Sequence, residues 1–271
     1  MSDHPSYTRV FLTFARNSLV RDMTFRANFI IEAIISTTYV LLNLGFYILI
    51  FTHTPSIAEG WDQDRFFIFL ATTLLINSLM QAFFMPNAEE FSELIRLGKL
   101  DFALVKPIDT QFLISFHRVN WASLGNFVFG LLLLAYSLRM LDYWPSLLQV
   151  VFYPLYLLCG VAILYSLMTT MAAISVWLGR NQNLYQFWFY VTNFSRYPME
   201  IYRGTIGDPL RLVFTFVIPI LIVVNVPARV MAKPLDVAWL AVYAVFATLA
   251  SLAASRYVFT RALLSYRSAS S

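Results

Sequence analysis

Charge is scarce in this chain. Asp, Glu, Lys and Arg make up 13% of its 271 residues, about half the quarter usual in soluble domains. Glycine is sparse as well, at 9 residues, and none of them builds a phosphate cradle. The one Gly-Lys pair, Gly98-Lys99, is followed by Leu100, and Glu93 stands where a G-x-x-x-x-G-K-[ST] loop needs its first glycine. ATP hydrolysis, if the protein uses it, is therefore expected on another polypeptide. A single cysteine, Cys159, excludes a disulfide framework within the chain. The three histidines, His4, His53 and His117, fall in separate segments, with no H-E-x-x-H and no paired Cys/His spacing, which argues against a metal site. A G-x-S-x-G elbow is also missing. No cleavable leader is expected: Asp3, Arg9, Arg16, Arg21, Asp22 and Arg26 interrupt residues 1–26, so the first membrane helix serves as the insertion signal.

Hydrophobic residues fill the place of charge. They reach 59% of the chain, with 25 Phe, 15 Tyr and 6 Trp, and mean hydropathy is +0.66. A bilayer core about 30 Å thick needs about 20 apolar residues in a helix rising 1.5 Å each. Membrane segments are expected at 28–51, 66–85, 112–138, 147–178, 182–227 and 237–258. The fourth exceeds bilayer thickness and is expected to be tilted, broken or projecting, with Pro154 near its start as the place for a break. The fifth, 182–227, reads either as one span plus a re-entrant hairpin or as an interfacial piece followed by a span, leaving open whether 182–198 or 209–227 crosses. Residues 5–26 carry Tyr7, Val10, Phe11 and Phe14 at helical spacing and read as an interfacial helix. The fold class is an all-α integral membrane protein with six transmembrane helices. The formal net charge of +4 fits arginines set against anionic lipid headgroups, so nucleic acid is not an expected partner.

Lysine and arginine placement orients the chain. Arg9, Arg16, Arg21 and Arg26 lie before the first span, Arg96, Lys99 and Lys106 between the second and third, and Arg256, Arg261 and Arg267 near the end. Six crossings put both termini and 87–110 in the cytoplasm. Arg229 and Lys233 then fall outside, against the rule.

Residues 87–97 read as a short cytoplasmic helix. Asn87 stands at the N-cap with Glu90 three residues on, Glu89 and Glu90 face the positive helix start, Arg96 lies near the negative end, and Gly98 supplies a left-handed exit. Phe91, Leu94 and Ile95 form an apolar stripe. Local signals allow a loop helix resting on headgroups or a docking helix for a soluble partner. Among polar residues inside spans, Glu32 is expected to pair with Arg118, while Asn77, Gln81, Asn120 and Asn126 line a pathway or join helices. The aromatic run Tyr185, Phe187, Trp188, Phe189 and Tyr190 reads as an interfacial belt.

The string from Ile95 to Ile108, with Gly98, Leu100, Asp101, Lys106 and Pro107 within it, resembles the I-R-x-G-x-L-D-x-x-L-x-[KR]-P segment of ABC-2 type permeases, in their six-span bacterial branch. Phe194-Ser195-Arg196-Tyr197-Pro198, followed by Ile201-Tyr202, is similar to that branch's F-x-R-Y-P-x-x-I-Y segment, and the tail from Tyr266 to Ser270 is also alike. The resemblance implies a membrane-spanning subunit of an ATP-driven ABC transporter in the bacterial inner membrane, paired with a second permease, identical or homologous. It implies a cytoplasmic ABC ATPase in two copies that holds the ATP and Mg, this chain binding no cofactor itself. It makes 87–97 the coupling helix, with Glu89, Glu90, Phe91, Leu94, Ile95 and Arg96 docking the ATPase. No feature points to a substrate-binding receptor, which favours export. An intramembrane enzyme would need converging nucleophiles, acids or metal ligands, and a stand-alone carrier or channel would show internal repeats; neither pattern is present in the sequence.

Overall fold

The computed structural model describes residues 6–141, 144–178, 189–233 and 238–266. Of the segments expected above, residue 5, 182–188 with most of the aromatic run, 237 and the tail 267–270 lie outside them. Two helices open the chain, α1 (Tyr7–Thr24) and α2 (Arg26–His53). Strands β1 (Ser56–Ala58) and β2 (Trp61–Asp62) pair antiparallel, with Ser56 opposite Asp62 and Ala58 opposite Trp61. Asp62 then caps α3 (Gln63–Phe83) by accepting the Arg65 N–H at 3.0 Å. Next come α4 (Met85–Arg96), α5 (Leu100–Leu104), α6 (Thr110–Phe116), α7 (Leu124–Met140) and α8 (Leu147–Leu178). Two 3-10 turns, Phe194–Arg196 and Met199–Ile201, precede α9 (Gly204–Leu212), which runs into a π turn at Val213–Val217. The chain closes with α10 (Leu221–Ala232) and α11 (Ala238–Ser265).

Among the described residues, α2, α3 extended by α4, α8 and α11 are long and apolar enough to cross a membrane, and α7 is a shorter apolar helix. Contacts sort their termini into two ends. At the hairpin end, Lys233 lies over the Trp61 ring at 4.4 Å, Arg203 donates to Glu59 at 2.6 Å, and the Gln149 amide donates to the carbonyls of Val230 and Lys233. At the opposite end, Ser18 meets Val119, Tyr165 meets Gln111 and Ser115, and Phe91 meets Phe259.

α9 with its π turn and α10 form a pair bent by 90°. Arg203, just before the pair, and Lys233, just after it, both sit at the hairpin end. Both ends of the bent pair thus lie at the same end of the molecule, and by length and composition the pair is a broken span or a re-entrant loop. After the break Ile220 and Leu221 are 0% and 1% exposed, while Phe216 and Val217 in the π turn are open at 49% and 74%. Every residue of α10 except Arg229 is buried. Asn225 accepts the Met199 N–H at 2.8 Å, and a Cβ on Gly160 would stand 2.6 Å from the Val223 carbonyl oxygen, so α8 and α10 touch backbone to backbone. Arg229 and Lys233, which broke the charge rule, lie 2.6 and 3.4 Å from Glu200.

One expected segment is refined and one expectation is overturned. The stretch 112–138 is not one helix: α6 ends at Phe116 and α7 starts at Leu124, because side chains and carbonyls from other elements capture the backbone between them. α8 does not break at Pro154 and stays one helix of 32 residues. Proline removes a single N–H donor there. Gln149 before it and Tyr153 beside it, the latter hydrogen-bonded to Thr72 at 2.9 Å, anchor the turn.

Candidate functional site

At the end away from the β-hairpin, α4, α5 and α6 form a helical excursion between α3 and α7. Phe84 alone separates α3 from α4, and the Ala88 N–H bonds to its carbonyl at 3.0 Å. Asn87 is thus not the N-cap. It lies inside α4 at 2% exposure, where its amide donates to the carbonyls of Phe83 (2.6 Å) and Arg118 (2.7 Å) and accepts the Arg118 N–H (2.8 Å). Tertiary partners have outbid the local capping pattern for this side chain. α4 ends in a Schellman motif, with Lys99 N–H on Leu94 O (2.9 Å), Gly98 N–H on Ile95 O (3.1 Å) and Gly98 at φ +65°.

The apolar stripe faces inward. Phe91 is 1% exposed and its ring lies 5.7 Å from that of Phe259, in a small core with Leu100, Ala103, Leu113 and Ala173. Phe91, expected in the docking set, is therefore an internal anchor of α4. Leu94 and Ile95 are half-buried; Glu89 and Arg96 are exposed, and Arg96 pairs with Glu93. Glu90 lies 3.6 Å from His117 and 3.5 Å from Arg118. Arg118 is thereby committed to Glu90, and Glu32 accepts instead from Asn120 Nδ2 at 2.5 Å. Asn126 donates to Ser36, and Asn77 and Gln81 are exposed one turn apart on α3.

Between α4, α5 and α6 lies a groove of about 130 Å³, lined by Leu94, Phe102, Leu113 and Ile114 with Lys99 and Lys106. Beside it the excursion exposes apolar side chains that the stripe argument did not select: Phe102 at 76%, Val105 at 84% and Leu97 at 48%. Their signal was present in Phe102 and Val105 flanking Leu104 on so short an element, where no single face can cover all three. Of the residues that carried the resemblance, Gly98 makes the turn, Leu100 opens α5 and is fully buried, Asp101 lies in its first turn, and Lys106 and Pro107 are exposed. Arg196 lies 5.5 Å over the Phe189 ring, Tyr197 is exposed and Pro198 buried.

A fork that sequence reading missed ties the excursion to α11. Arg256 reaches Asp109 Oδ2 at 2.5 Å and Oδ1 at 3.1 Å, and Gln111 Oε1 at 2.8 Å. Asp109 also accepts the Phe112 N–H at 2.9 Å and so caps α6. The Arg256 hydrogen bonds hold the Asp109 carboxyl below the usual carboxylate range, outweighing the desolvation that opposes them. Packed against all this, α1 sets Tyr7 on Phe112, Phe11 on Phe116 and Phe14 on His117.

A family model described as "ABC-2 family transporter protein" matches residues 37–270. No curated protein and no solved structure matches.

Proposed function

Since the chain belongs to the ABC-2 transporter family, whose members are the membrane permease subunits of ABC transporters, we propose that it is the six-crossing permease of an exporter driven by a separate cytoplasmic ATPase. In this reading the end bearing α1 and the α4–α6 excursion faces the cytoplasm and the β-hairpin faces outward. α1 lies along the inner headgroups. ATP and Mg sit on the ATPase, two copies of which serve two permease chains. A small hydrophobic or amphipathic compound, a lipid or a polymer passes at the interface between the permeases.

The observation that carries this reading is the exposed apolar tip of the excursion, with Phe102 at 76% and Val105 at 84%, in a chain of this family. α4 is the coupling helix. It presents Glu89 and Arg96 on its outer side, and Leu94, Ile95 and the α5 tip supply apolar contact, while Phe91 fixes the helix from within.

The test is retrieval of the ATPase through a tag on this chain. Phe102→Asp with Val105→Asp is expected to lower ATPase retrieval at least tenfold with membrane insertion unchanged. Undiminished retrieval removes the tip from the docking surface. Labelling of Glu93→Cys from outside intact cells, in a Cys159→Ala background, inverts the topology and ends the reading.

A further inference from the structure

The backbone between α6 and α7 is held by other elements, residue by residue. Arg118 N–H goes to Asn87 on α4, Val119 N–H to Ser18 Oγ on α1 at 3.1 Å, and Asn120 N–H to the Ala82 carbonyl on α3 at 2.8 Å. Asn120 passes the hold onward: its Oδ1 accepts the Ser123 N–H at the start of α7, and its Nδ2 donates to Glu32 on α2. α7 therefore begins at a clamp whose other jaw is α4.

We propose that Asn87 is the positioning residue that carries displacement of α4 into α7 and α2. The proposal rests on the ATP-driven permease reading above. Asn87 sits one turn beyond Phe84, where α3 gives way to α4, so any tilt of α4 about that point moves its amide. Both faces of the Arg118 peptide environment are bound by that one amide, at 2.7 and 2.8 Å, in a site 2% exposed. If Arg118 did not follow, buried donors and acceptors would be left without partners, which is costly in so dry a site. The link is consequently stiff, and it bypasses the longer route through the body of α3. Glu90, through His117 and Arg118, braces the same residues from the next turn.

The complex retrieved through a tag on the full chain, in a Cys159→Ala background, tests this with Mg-ATP and vanadate as the probe. Spin labels at Thr8 and Glu93 report α4 against α1, and labels at Leu41 and Leu132 report α2 against α7; all four positions are exposed. Wild type is expected to change distance at both pairs. Asn87→Leu keeps the volume and removes the three hydrogen bonds, so the α4 response stays while the α2–α7 response falls at least twofold. A full α2–α7 response in Asn87→Leu overturns the relay alone. Equal loss at both pairs also overturns it, since that marks a merely structural residue. Should Asn87→Leu fail to assemble, Asn87→Ser is read by the same criteria. A wild-type complex without an ATPase, or silent at both pairs, overturns the permease reading and the relay together.

Discussion

Glu200 grips Arg229 at the mouth of the bent α9–α10 pair, with Oε1 2.6 Å from the guanidinium and only 8% of the glutamate side chain left to solvent. Lys233 approaches the same oxygen at 3.4 Å while resting over Trp61. Removing one partner of a buried pair costs about 3–5 kcal/mol because the other charge is stranded. Glu200→Gln is therefore expected to lose about 3 kcal/mol, read as a lowered unfolding temperature in detergent. Adding Arg229→Met should recover part of that loss. Additive losses in the double variant would mean that the two residues act separately.

Asp109 gives the far end a pH dependence. Its carboxyl lies lower in the folded protein than in the unfolded chain, first because of Arg256. Its stabilising contribution is thus complete above the unfolded carboxylate pKa of about 3.9 and is lost as pH falls through the folded value. Unfolding followed between pH 6 and pH 2 should show this acid loss in wild type. In Asp109→Asn, a less stable protein throughout, that component should be missing.

Gly160 permits the contact between α8 and α10. A methyl group there would sit 2.6 Å from a carbonyl oxygen that is itself part of a buried helix. Gly160→Ala should cost about 1–3 kcal/mol by overpacking. Gly45→Ala, on α2 with nothing within 4 Å of the added carbon, should be neutral or stabilising by up to about 1 kcal/mol through helix propensity. Thermal unfolding of the two variants side by side checks the contrast.

Phe91 and Phe102 separate anchoring from docking. Phe91→Ala opens a hole in the small core and is expected to cost about 3–5 kcal/mol. Phe102→Ala, at a side chain 76% exposed, should change stability by less than about 0.5 kcal/mol and still weaken retrieval of the ATPase. Unfolding temperature and co-purification, measured on both, distinguish the two roles.

Long apolar runs such as α2, α8 and α11 were legible in the sequence because hydropathy over 28 to 32 residues needs no tertiary information. The Gly98 exit was legible for a related reason: a left-handed turn favours a residue without a Cβ. The break at residues 117–123 was not. It contains neither Pro nor Gly, and it exists because Asn87, Ser18 and Ala82, from distant parts of the chain, take its backbone groups. The same distance hid the true employment of Asn87, whose spacing to Glu90 imitates a capping box. The apolar character of Phe91 is legible but its neighbour is not, since α11 covers it from 168 positions further along. No local pattern reveals such a pairing, nor the fork between Asp109 and Arg256.

The right-angled bend between α9 and α10 also decides where the chain finishes. Because that detour goes back out through the doorway it came in by, α11 sets off from the β-hairpin side and descends parallel to α8, arriving with Phe259 beside Phe91. Were the bend straightened, the final helix would depart from the other end of the molecule. Residues 256–266 would then run away from α4 and α6, and neither Phe259 could meet Phe91 nor Arg256 reach Asp109, so a local backbone kink decides what the last helix can touch.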